Sequence, residues 1–211
     1  MGIGVLILGE SGAGKSTSMR NFKKGEVGIF NVAGKPLPFR GNLDRINNAT
    51  YPMIQQVLQK HTLKRYVIDD SQALMAFELF DKVQQKGYDK FTEIAVNFKN
   101  ILDQVRFLPP DVVVYFMHHT EMSDTGRIKA KTVGKMLDNQ LTIEGLFSIV
   151  LLAKTDGHEH WFETQSDGMT SAKSPMGMFE NRIDNDLKFV DEQIRKYWEL
   201  DNIQKEKKES K

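Results

Sequence analysis

A glycine-rich segment near the start of the chain has the residue types and the spacing of a phosphate-binding loop. Residues 9–17 read GESGAGKST and match the Walker A pattern Gly-x-x-x-x-Gly-Lys-Ser through Gly9, Gly14, Lys15 and Ser16. Glycines let backbone N–H groups turn toward an anion, the lysine ammonium reaches the β- and γ-phosphates, and the serine hydroxyl is a ligand for Mg²⁺. The segment therefore predicts a site for a nucleoside triphosphate with Mg²⁺.

The whole segment, called the glycine loop below, is assigned to the nucleotide: Gly9, Glu10, Ser11, Gly12, Ala13, Gly14, Lys15, Ser16 and Thr17. Thr17 lies close enough to bond the α-phosphate. The apolar run before the loop predicts a strand, and the residues from Lys15 to Phe22 predict a helix whose N-terminal end adds positive potential. A glycine-rich turn that matches by accident is the alternative, which the flanking strand and helix disfavour.

An acidic pair follows a second apolar run. The sequence YVIDD ends in Asp69 and Asp70, which is the Walker B arrangement of an apolar strand ending in a carboxylate. Asp69 is predicted to complete the Mg²⁺ site with Ser16, acting through a bound water. The alternative is that Asp70 or Ser71 merely caps the following helix.

A third polar group ends the run YFMHHTE, residues 115–121. Ligands of parallel sheets bind at the carboxyl ends of the strands, so a polar side chain here would face the γ-phosphate. His119 or Thr120 is predicted to sense that phosphate, and His119 is preferred over His118. A buried histidine that bonds a backbone carbonyl is the alternative.

A basic segment follows the histidines. The segment carries four basic residues, Arg127, Lys129, Lys131 and Lys135, against two acidic ones, Glu121 and Asp124. Its apolar residues show no strong period. Such a segment beside a phosphate sensor can bind an anionic chain, because each phosphate contact adds salt-sensitive affinity. It holds no aromatic residue for base stacking, which weakens a single-strand interpretation. A solvated flexible loop is the alternative.

The elements that position these groups alternate between strands and helices. Apolar runs predict strands, and apolar residues at helical spacing predict helices. Strands are predicted at 2–8, 26–34, 65–70 and 111–119 and as a pair within 146–164, and helices at 15–22, 50–61, 71–86, 91–107 and 184–200. This order predicts an α/β fold of the P-loop NTPase class, with a mostly parallel central sheet, helices on both faces and a C-terminal strand pair. One domain covers residues 1–200, and 201–211 form a charged tail.

The spacing of the two motifs adds a topological prediction. One other strand-helix unit lies between the glycine loop and Asp69. That interval favours the branch of P-loop proteins in which an extra strand separates the two motif strands, as in recombinases, helicases and AAA machines. Small kinases and GTPases usually place those strands side by side.

Composition excludes several classes of protein. The 211 residues are 40% hydrophobic and 27% charged, which is ordinary for a globular protein, and they contain no cysteine, which excludes disulfides and thiolate metal sites. The net charge of +1 gives no global attraction to nucleic acid. The apolar runs are too short to cross a bilayer and no leader precedes the first strand, so a cytoplasmic protein without a membrane partner is expected.

Several motifs together resemble a family. In order along about residues 1–180, the chain carries ILGESGAGKSTSMRNF, IFNVAGKPLPF, YVIDDSQ, YFMHHTE, KTVGKMLDN and SAKSPMGMF. The set resembles a group of phage ATP-binding proteins that have a RecA-like core and are associated with single-strand DNA annealing and recombination. The resemblance implies an ATP- and Mg²⁺-dependent ATPase that binds single-stranded DNA, works as a homo-oligomer in the host cytoplasm, and has a single-strand-binding protein as a natural partner.

The resemblance also implies roles for individual residues. The stretch after His119 looks like the DNA-facing mobile loop of recombinases. Lys173, which alone reads as a surface lysine, looks like a lysine that reaches the ATP of a neighbouring subunit. Recombinases usually carry a glutamate after the second strand, but NVAGKPLPF offers no carboxylate. Asp70 is the substitute candidate, and slow hydrolysis is expected.

Two other functions stay open on the sequence. The first is a small-molecule P-loop kinase, which this chain length suits. Such a kinase needs an arginine-rich lid, and Arg127 stands alone in its segment. The second is an interaction module that binds ATP only to hold its shape, and the missing glutamate keeps this alternative open.

Overall fold

The fold is built on one sheet that runs through the middle of the protein. The structure is a computed structural model that describes residues 1–134, 137 and 142–202. The described part of the chain contains nine strands, namely β1 (Ile3–Gly9), β2 (Gly28–Asn31), β3 (Arg45–Asn47), β4 (Arg65–Asp69), β5 (Val113–Met122), β6 (Ile128–Ala130), β7 (Ile149–Thr155), β8 (His160–Glu163) and β9 (Arg182–Asp184).

The strand order confirms a mostly parallel sheet and the predicted extra strand. The order is β3-β2-β4-β5-β1-β7-β8-β9, and β6 pairs with β5 off this path. Along this order the six strands β3, β2, β4, β5, β1 and β7 are parallel, whereas β8 and β9 are antiparallel to their neighbours. The glycine loop follows β1 and the acidic pair follows β4, and β5 lies between those two strands. The predicted C-terminal strand pair is β7 and β8.

Helices cover both faces of the sheet, as predicted. Alternate residues of each buried strand point to opposite faces, so β1 sends Leu6 and Leu8 to one apolar cluster and Val5 and Ile7 to the other. The helices are α1 (Tyr51–Lys60), α2 (Ser71–Asp81), α3 (Asp89–Arg106) and α4 (Leu187–Tyr197). The first three pack on the Leu6 side, and α4 packs on the Val5 side with a short 3-10 helix. None of the described helices is long and apolar enough to cross a membrane.

The segment after the glycine loop differs from the prediction. A helix from Lys15 to Phe22 was expected, but the structure has only a 3-10 helix at Ser16–Asn21. Serine and threonine side chains compete for nearby backbone groups and so disfavour a regular helix, and the Ser18 hydroxyl donates to the Lys15 carbonyl at 2.6 Å. The helix-dipole contribution expected at this loop is correspondingly smaller, since few peptide units are aligned.

Two short strands and one helix start also differ from the prediction. The strands β3 and β9 were not predicted, because three residues give no period to detect. The last helix was expected from Asp184, but Arg182–Asp184 pair with β8 instead. The helix α4 then begins at Leu187, where the Asp186 carboxylate accepts from the Lys188 N–H at 2.9 Å and caps the helix.

The basic segment forms a β-hairpin where an irregular mobile loop was predicted. The strand β5 continues past the histidines to Met122 and pairs with β6 in the register Thr120↔Ala130 and Met122↔Ile128. Pairing satisfies backbone N–H and C=O groups that an isolated loop would leave to water. Of the predicted residues, Lys135 lies outside the described part of the chain, as do 203–211 of the predicted tail.

Candidate functional site

Residues of the glycine loop, the acidic pair and His119 meet near the carboxyl ends of the parallel strands β1, β4 and β5. A cavity of about 190 Å³ opens there, between the glycine loop and the segment after β2. We call it the phosphate-side cavity. It is lined by residues from each group predicted to contact the nucleotide and by one residue that was not predicted, Lys35. The lining includes Ser11, Gly12, Gly14, Lys15, Ser16, Thr17, Lys35, Asp69, Asp70 and His119. The parallel topology produces this convergence, because parallel strands end at the same edge of the sheet.

The backbone of the glycine loop takes a conformation that favours glycine. Gly12 has φ of +84° and Gly14 has φ of +91°, the left-handed region in which a side chain is strained. A Cβ at Gly14 would also lie 2.9 Å from His160 Nδ1. The loop therefore needs glycine at position 14 for both its turn and its close approach to a neighbouring segment.

Lys15 is buried inside the loop that carries it. Its ammonium donates to the carbonyl of Gly9 at 2.7 Å and to that of Glu10 at 2.9 Å. Burial lowers the pKa of Lys15 to about 8, although Asp70 and Asp69 act in the opposite direction. An anion bound beside this buried ammonium would favour its charged form, because an opposite charge offsets the cost of burial.

Ser16 and Asp69 form the predicted pair of metal-binding groups. The Ser16 hydroxyl donates to Asp69 Oδ1 at 2.8 Å, although the two residues are 53 positions apart. Burial raises the pKa of Asp69, and the hydrogen bond from Ser16 opposes that rise. A hydroxyl and a carboxylate fit Mg²⁺, which usually takes one or two protein ligands and fills its shell with phosphates and water. The described residues contain no larger cluster of metal-binding side chains.

Asp70 lies at the centre of an ionic group with Lys35 and His119, and all three residues line the cavity. Its carboxylate is 3.2 Å from His119 Nε2 and accepts from the Lys35 ammonium at 2.9 Å. The hydrogen bond from His119, together with Lys35, holds the pKa of Asp70 at about 2 despite partial burial. Asp70 has φ of +59° at the start of α2 and makes no side-chain cap, so the alternative capping role is not seen at Asp70.

Lys35 is the site residue that the sequence interpretation missed. It follows β2 in the segment NVAGKPLPF, which contains no carboxylate. The signal was its position, because a lysine a few residues after a parallel strand falls near the edge where the other motifs meet. A second ammonium therefore lies beside the cavity, with its side chain 66% exposed and paired with Asp70.

The two adjacent histidines have different environments. His119 lines the phosphate-side cavity, whereas Thr120, the other predicted sensor, does not. His118 is fully buried, and its Nε2 is 2.8 Å from the Lys131 carbonyl while its Nδ1 is 2.9 Å from the Ser71 hydroxyl. The carbonyl only accepts, so the neutral ring carries its proton on Nε2. The alternative of a buried, backbone-bonded histidine therefore describes His118.

The described basic residues of the hairpin lie outside the phosphate-side cavity. Lys129 pairs with Glu121 at 3.2 Å across the two strands, and the side chains of Arg127 and Lys131 are exposed. One backbone contact joins the hairpin to the site, because the Lys131 N–H donates to the His119 carbonyl at 2.9 Å. The hairpin and the candidate sensor are therefore in direct contact.

Lys173 lies away from the phosphate-side cavity of its own chain. Its backbone pairs with Val150 through two hydrogen bonds of 2.8 Å. Val150 stands opposite Leu6, three residues before Gly9, which is roughly 10 Å down the strand from the loop. The predicted contact with a neighbouring subunit's nucleotide involves a second chain and stays a prediction.

Fold and site together define a mixed α/β protein in which lysine, serine, aspartate and histidine side chains converge at the carboxyl edge of a mostly parallel sheet. Comparison with protein-family models and with curated proteins finds no match for the chain. Function is therefore inferred from the geometry of the site.

Proposed function

We propose that this chain is a P-loop ATPase with a RecA-like core that binds ATP and Mg²⁺ at the glycine loop. The hydrogen bond of 2.8 Å from Ser16 to Asp69 carries the proposal. A loop serine and an aspartate that ends a buried strand are the groups by which P-loop enzymes hold Mg²⁺. The strand order supports the same class, since β5 separates the two motif strands.

Each residue of the phosphate-side cavity has a role in this proposal. Lys15 exchanges its two carbonyl partners for oxygens of the β- and γ-phosphates, and the backbone N–H groups of the loop bind the remaining oxygens. Ser16 and Asp69 hold Mg²⁺, which neutralises charge on the phosphates when it is bound. His119 senses the terminal phosphate through its side chain, which pairs with Asp70. A change in that pairing is passed to the hairpin through the His119 carbonyl, which accepts from the Lys131 N–H.

The carboxylate that serves the attacking water is Asp70 in this proposal. A carboxylate with a pKa of about 2 is a weak proton acceptor, so Asp70 orients the water and turnover is slow. The same observation favours a second candidate function, in which the protein binds ATP without hydrolysing it and uses it to hold one conformation.

The proposed polyanionic partner is single-stranded DNA, bound at the hairpin. The exposed side chains of Arg127 and Lys131 and the contact between Lys131 and His119 support this placement. The same proposal places the protein in phage-type recombination or annealing, in the cytoplasm. It also includes a homo-oligomer in which Lys173 reaches the next subunit, and a single-strand-binding protein as partner.

Calorimetry and turnover assays test the nucleotide part. We expect Mg-ATP to give a binding heat and a thermal shift, and single-stranded DNA but not mononucleotide acceptors to raise turnover. Lys15→Ala abolishes binding or turnover, whereas Lys60→Ala, at an exposed lysine at the end of α1, leaves both unchanged. Correctly folded protein that gives neither heat nor thermal shift refutes the proposal.

Two other outcomes separate the alternatives. Phosphorylation of a nucleoside or its monophosphate would replace the proposal with a small-molecule kinase. Binding of ATP with no turnover, either with or without DNA, would favour the non-hydrolysing function.

A double variant tests the DNA part. Replacing Lys129 and Lys131 together by alanine weakens binding of a labelled oligonucleotide and lowers the slope of log affinity against log salt by up to about 1.4, because each lost phosphate contact contributes roughly 0.7. Replacing the exposed Lys23 and Lys24 removes the same charge elsewhere and is the control. Equal DNA affinity in the two double variants would remove the hairpin assignment.

A further inference from the structure

A second cavity adjoins the glycine loop on the side away from Asp69 and His119. Its volume is about 470 Å³, within the roughly 300–1,000 Å³ of small-molecule pockets. Its wall includes Arg20, His160, Trp161, Arg182 and Asn185, most of them from β8 and β9 or next to them. We call it the edge cavity.

Gly14 is the point where the edge cavity meets the loop. A Cβ added to Gly14 would lie 2.9 Å from His160 Nδ1 and 3.2 Å from both amide atoms of Asn185. Gly14 also lines the phosphate-side cavity. Gly14 therefore lies between the phosphate-side cavity, which it lines, and two residues in the wall of the edge cavity.

The direction of a bound triphosphate leads from one cavity toward the other. Asp70 follows β4 and His119 lies in β5, both on one side of β1, whereas β8 and β9 lie on the other side. A terminal phosphate beside His119 and an α-phosphate at Thr17 leave the nucleoside pointing toward β8 and β9. Arg20 lies along this path, because its guanidinium donates to the carbonyls of Thr17 and Asn185.

Asn185 lies in the wall of the edge cavity and has an unsatisfied side-chain amide that faces Gly14. The residue is only 3% exposed, and within the described part of the chain neither its Oδ1 nor its Nδ2 has a hydrogen-bond partner. Buried polar atoms are nearly always paired, and leaving such a group unsatisfied costs about 1–3 kcal/mol. An adjacent acceptor and donor match the edge of adenine, which presents an amino donor beside a ring nitrogen acceptor.

Two planar side chains, those of Trp161 and Arg182, also line the edge cavity. The guanidinium of Arg182 lies 4.0 Å from the ring centroid of Trp161. Planar aromatic and guanidinium groups are the surfaces on which nucleobases stack, at about 1–3 kcal/mol per base. The edge cavity thus combines a stacking surface with a paired donor and acceptor.

We propose that the edge cavity binds the adenine base of the nucleotide, with Asn185 pairing with the base edge and the Trp161–Arg182 pair packing against the ring. This inference rests on the proposed function, because the phosphates must lie in the glycine loop. Because both amide atoms of Asn185 face Gly14, base binding requires the side chain to turn from Gly14 into the cavity.

Three probes separate base binding from phosphate binding. Affinities are measured by calorimetry for Mg-ATP, Mg-GTP and magnesium with inorganic tripolyphosphate. We expect the protein to bind ATP at least tenfold more tightly than GTP or tripolyphosphate. Asn185→Leu reduces ATP affinity at least tenfold and leaves tripolyphosphate affinity within twofold. Asn100→Leu, at an exposed asparagine of α3, changes neither.

Tryptophan fluorescence gives an independent measurement that does not need the Asn185 variant to fold. The chain has two tryptophans, so Trp198→Phe leaves Trp161 as the single reporter. Base stacking changes the emission of Trp161 on addition of Mg-ATP, whereas tripolyphosphate leaves it unchanged.

The outcomes distinguish this inference from the proposed function. Binding of both ATP and tripolyphosphate with equal affinity, with no change in Trp161 emission, overturns the edge cavity as the base site and leaves the loop assignment intact. If neither compound binds, both proposals fail. Tighter binding of GTP than of ATP overturns the assignment of adenine.

Discussion

The buried ring of His118 makes the stability of this protein sensitive to mild acid. Both ring nitrogens are already engaged, by the Lys131 carbonyl and the Ser71 hydroxyl. Burial lowers the pKa of His118 to about 4, and the nearby charges of His119 and Lys15 act in the same direction, against the hydrogen bond to Lys131. The folded protein therefore keeps this ring neutral in a range where the unfolded chain protonates it.

The sign and size of the effect follow from linkage. Between about pH 6.5 and pH 4 the unfolded state binds a proton at His118 that the folded state does not, so the free energy of unfolding falls as the pH falls. A difference of about 2.5 pKa units corresponds to about 3 kcal/mol over the whole window. Near pH 5 the contribution of this ring to the slope is about 1 kcal/mol per pH unit.

Urea unfolding of the nucleotide-free protein at pH 7, 6 and 5 measures this slope. His118→Gln removes the titrating group, so its free energy of unfolding should depend on pH less steeply than that of the parent protein by about 1 kcal/mol per pH unit. The variant should also lose about 1–3 kcal/mol at pH 7, because buried partners are left unsatisfied. His158→Gln, in an exposed turn, is the control and should keep the parental slope.

The comparison of slopes decides the outcome. Other groups, including Asp69 and Asp70, titrate in the parent and in both variants, so their contributions cancel in the difference. Parallel curves for the parent and His118→Gln would show that the ring is not held neutral in the folded state, which would refute the reasoning.

Two further predictions concern the loop and the core. Gly14→Ala should reduce Mg-ATP affinity more than Gly25→Ala. Both glycines have positive φ, but only Gly14 has neighbours where a Cβ would lie. Calorimetry with matched unfolding curves separates this effect from the backbone strain of about 1–2 kcal/mol that the two variants share. Asp191→Ala should cost about 3–5 kcal/mol in urea unfolding, since the carboxylate is fully buried against Arg195, whereas Asp103→Ala in a surface pair should cost less than about 1 kcal/mol. Equal losses at positions 191 and 103 would contradict the second prediction.

Much of the fold was predictable because its signals are local. The long strands are runs of consecutive apolar residues, and α3 keeps its apolar residues at helical spacing, so Ile94, Phe98 and Ile101 are all buried. The strands β3 and β9 were not predictable in this way. They exist because β2 and β8 offer unpaired edges to segments of three residues, and pairing of this kind leaves no pattern in the short segment itself.

The hairpin shows how tertiary pairing overrides a local pattern. Residues 121–134 are polar and contain two glycines, so the sequence favours a flexible loop. The continuation of β5 past the edge of the sheet gives this segment a partner strand, and β6 pairs with it. The basic side chains are consequently carried on an ordered ribbon, with Lys129 opposite Glu121.

The sequence by itself determined the chemistry of the glycine loop, because nine consecutive residues carry its turn, its ammonium and its hydroxyl together. Only the tertiary structure decided which distant groups complete the site. Asp70, His119 and Lys35 are far apart in the chain and meet because parallel strands end at one edge. The unsatisfied amide of Asn185 next to Gly14 depends on contacts between residues 171 positions apart, and no spacing in a sequence encodes such a contact directly.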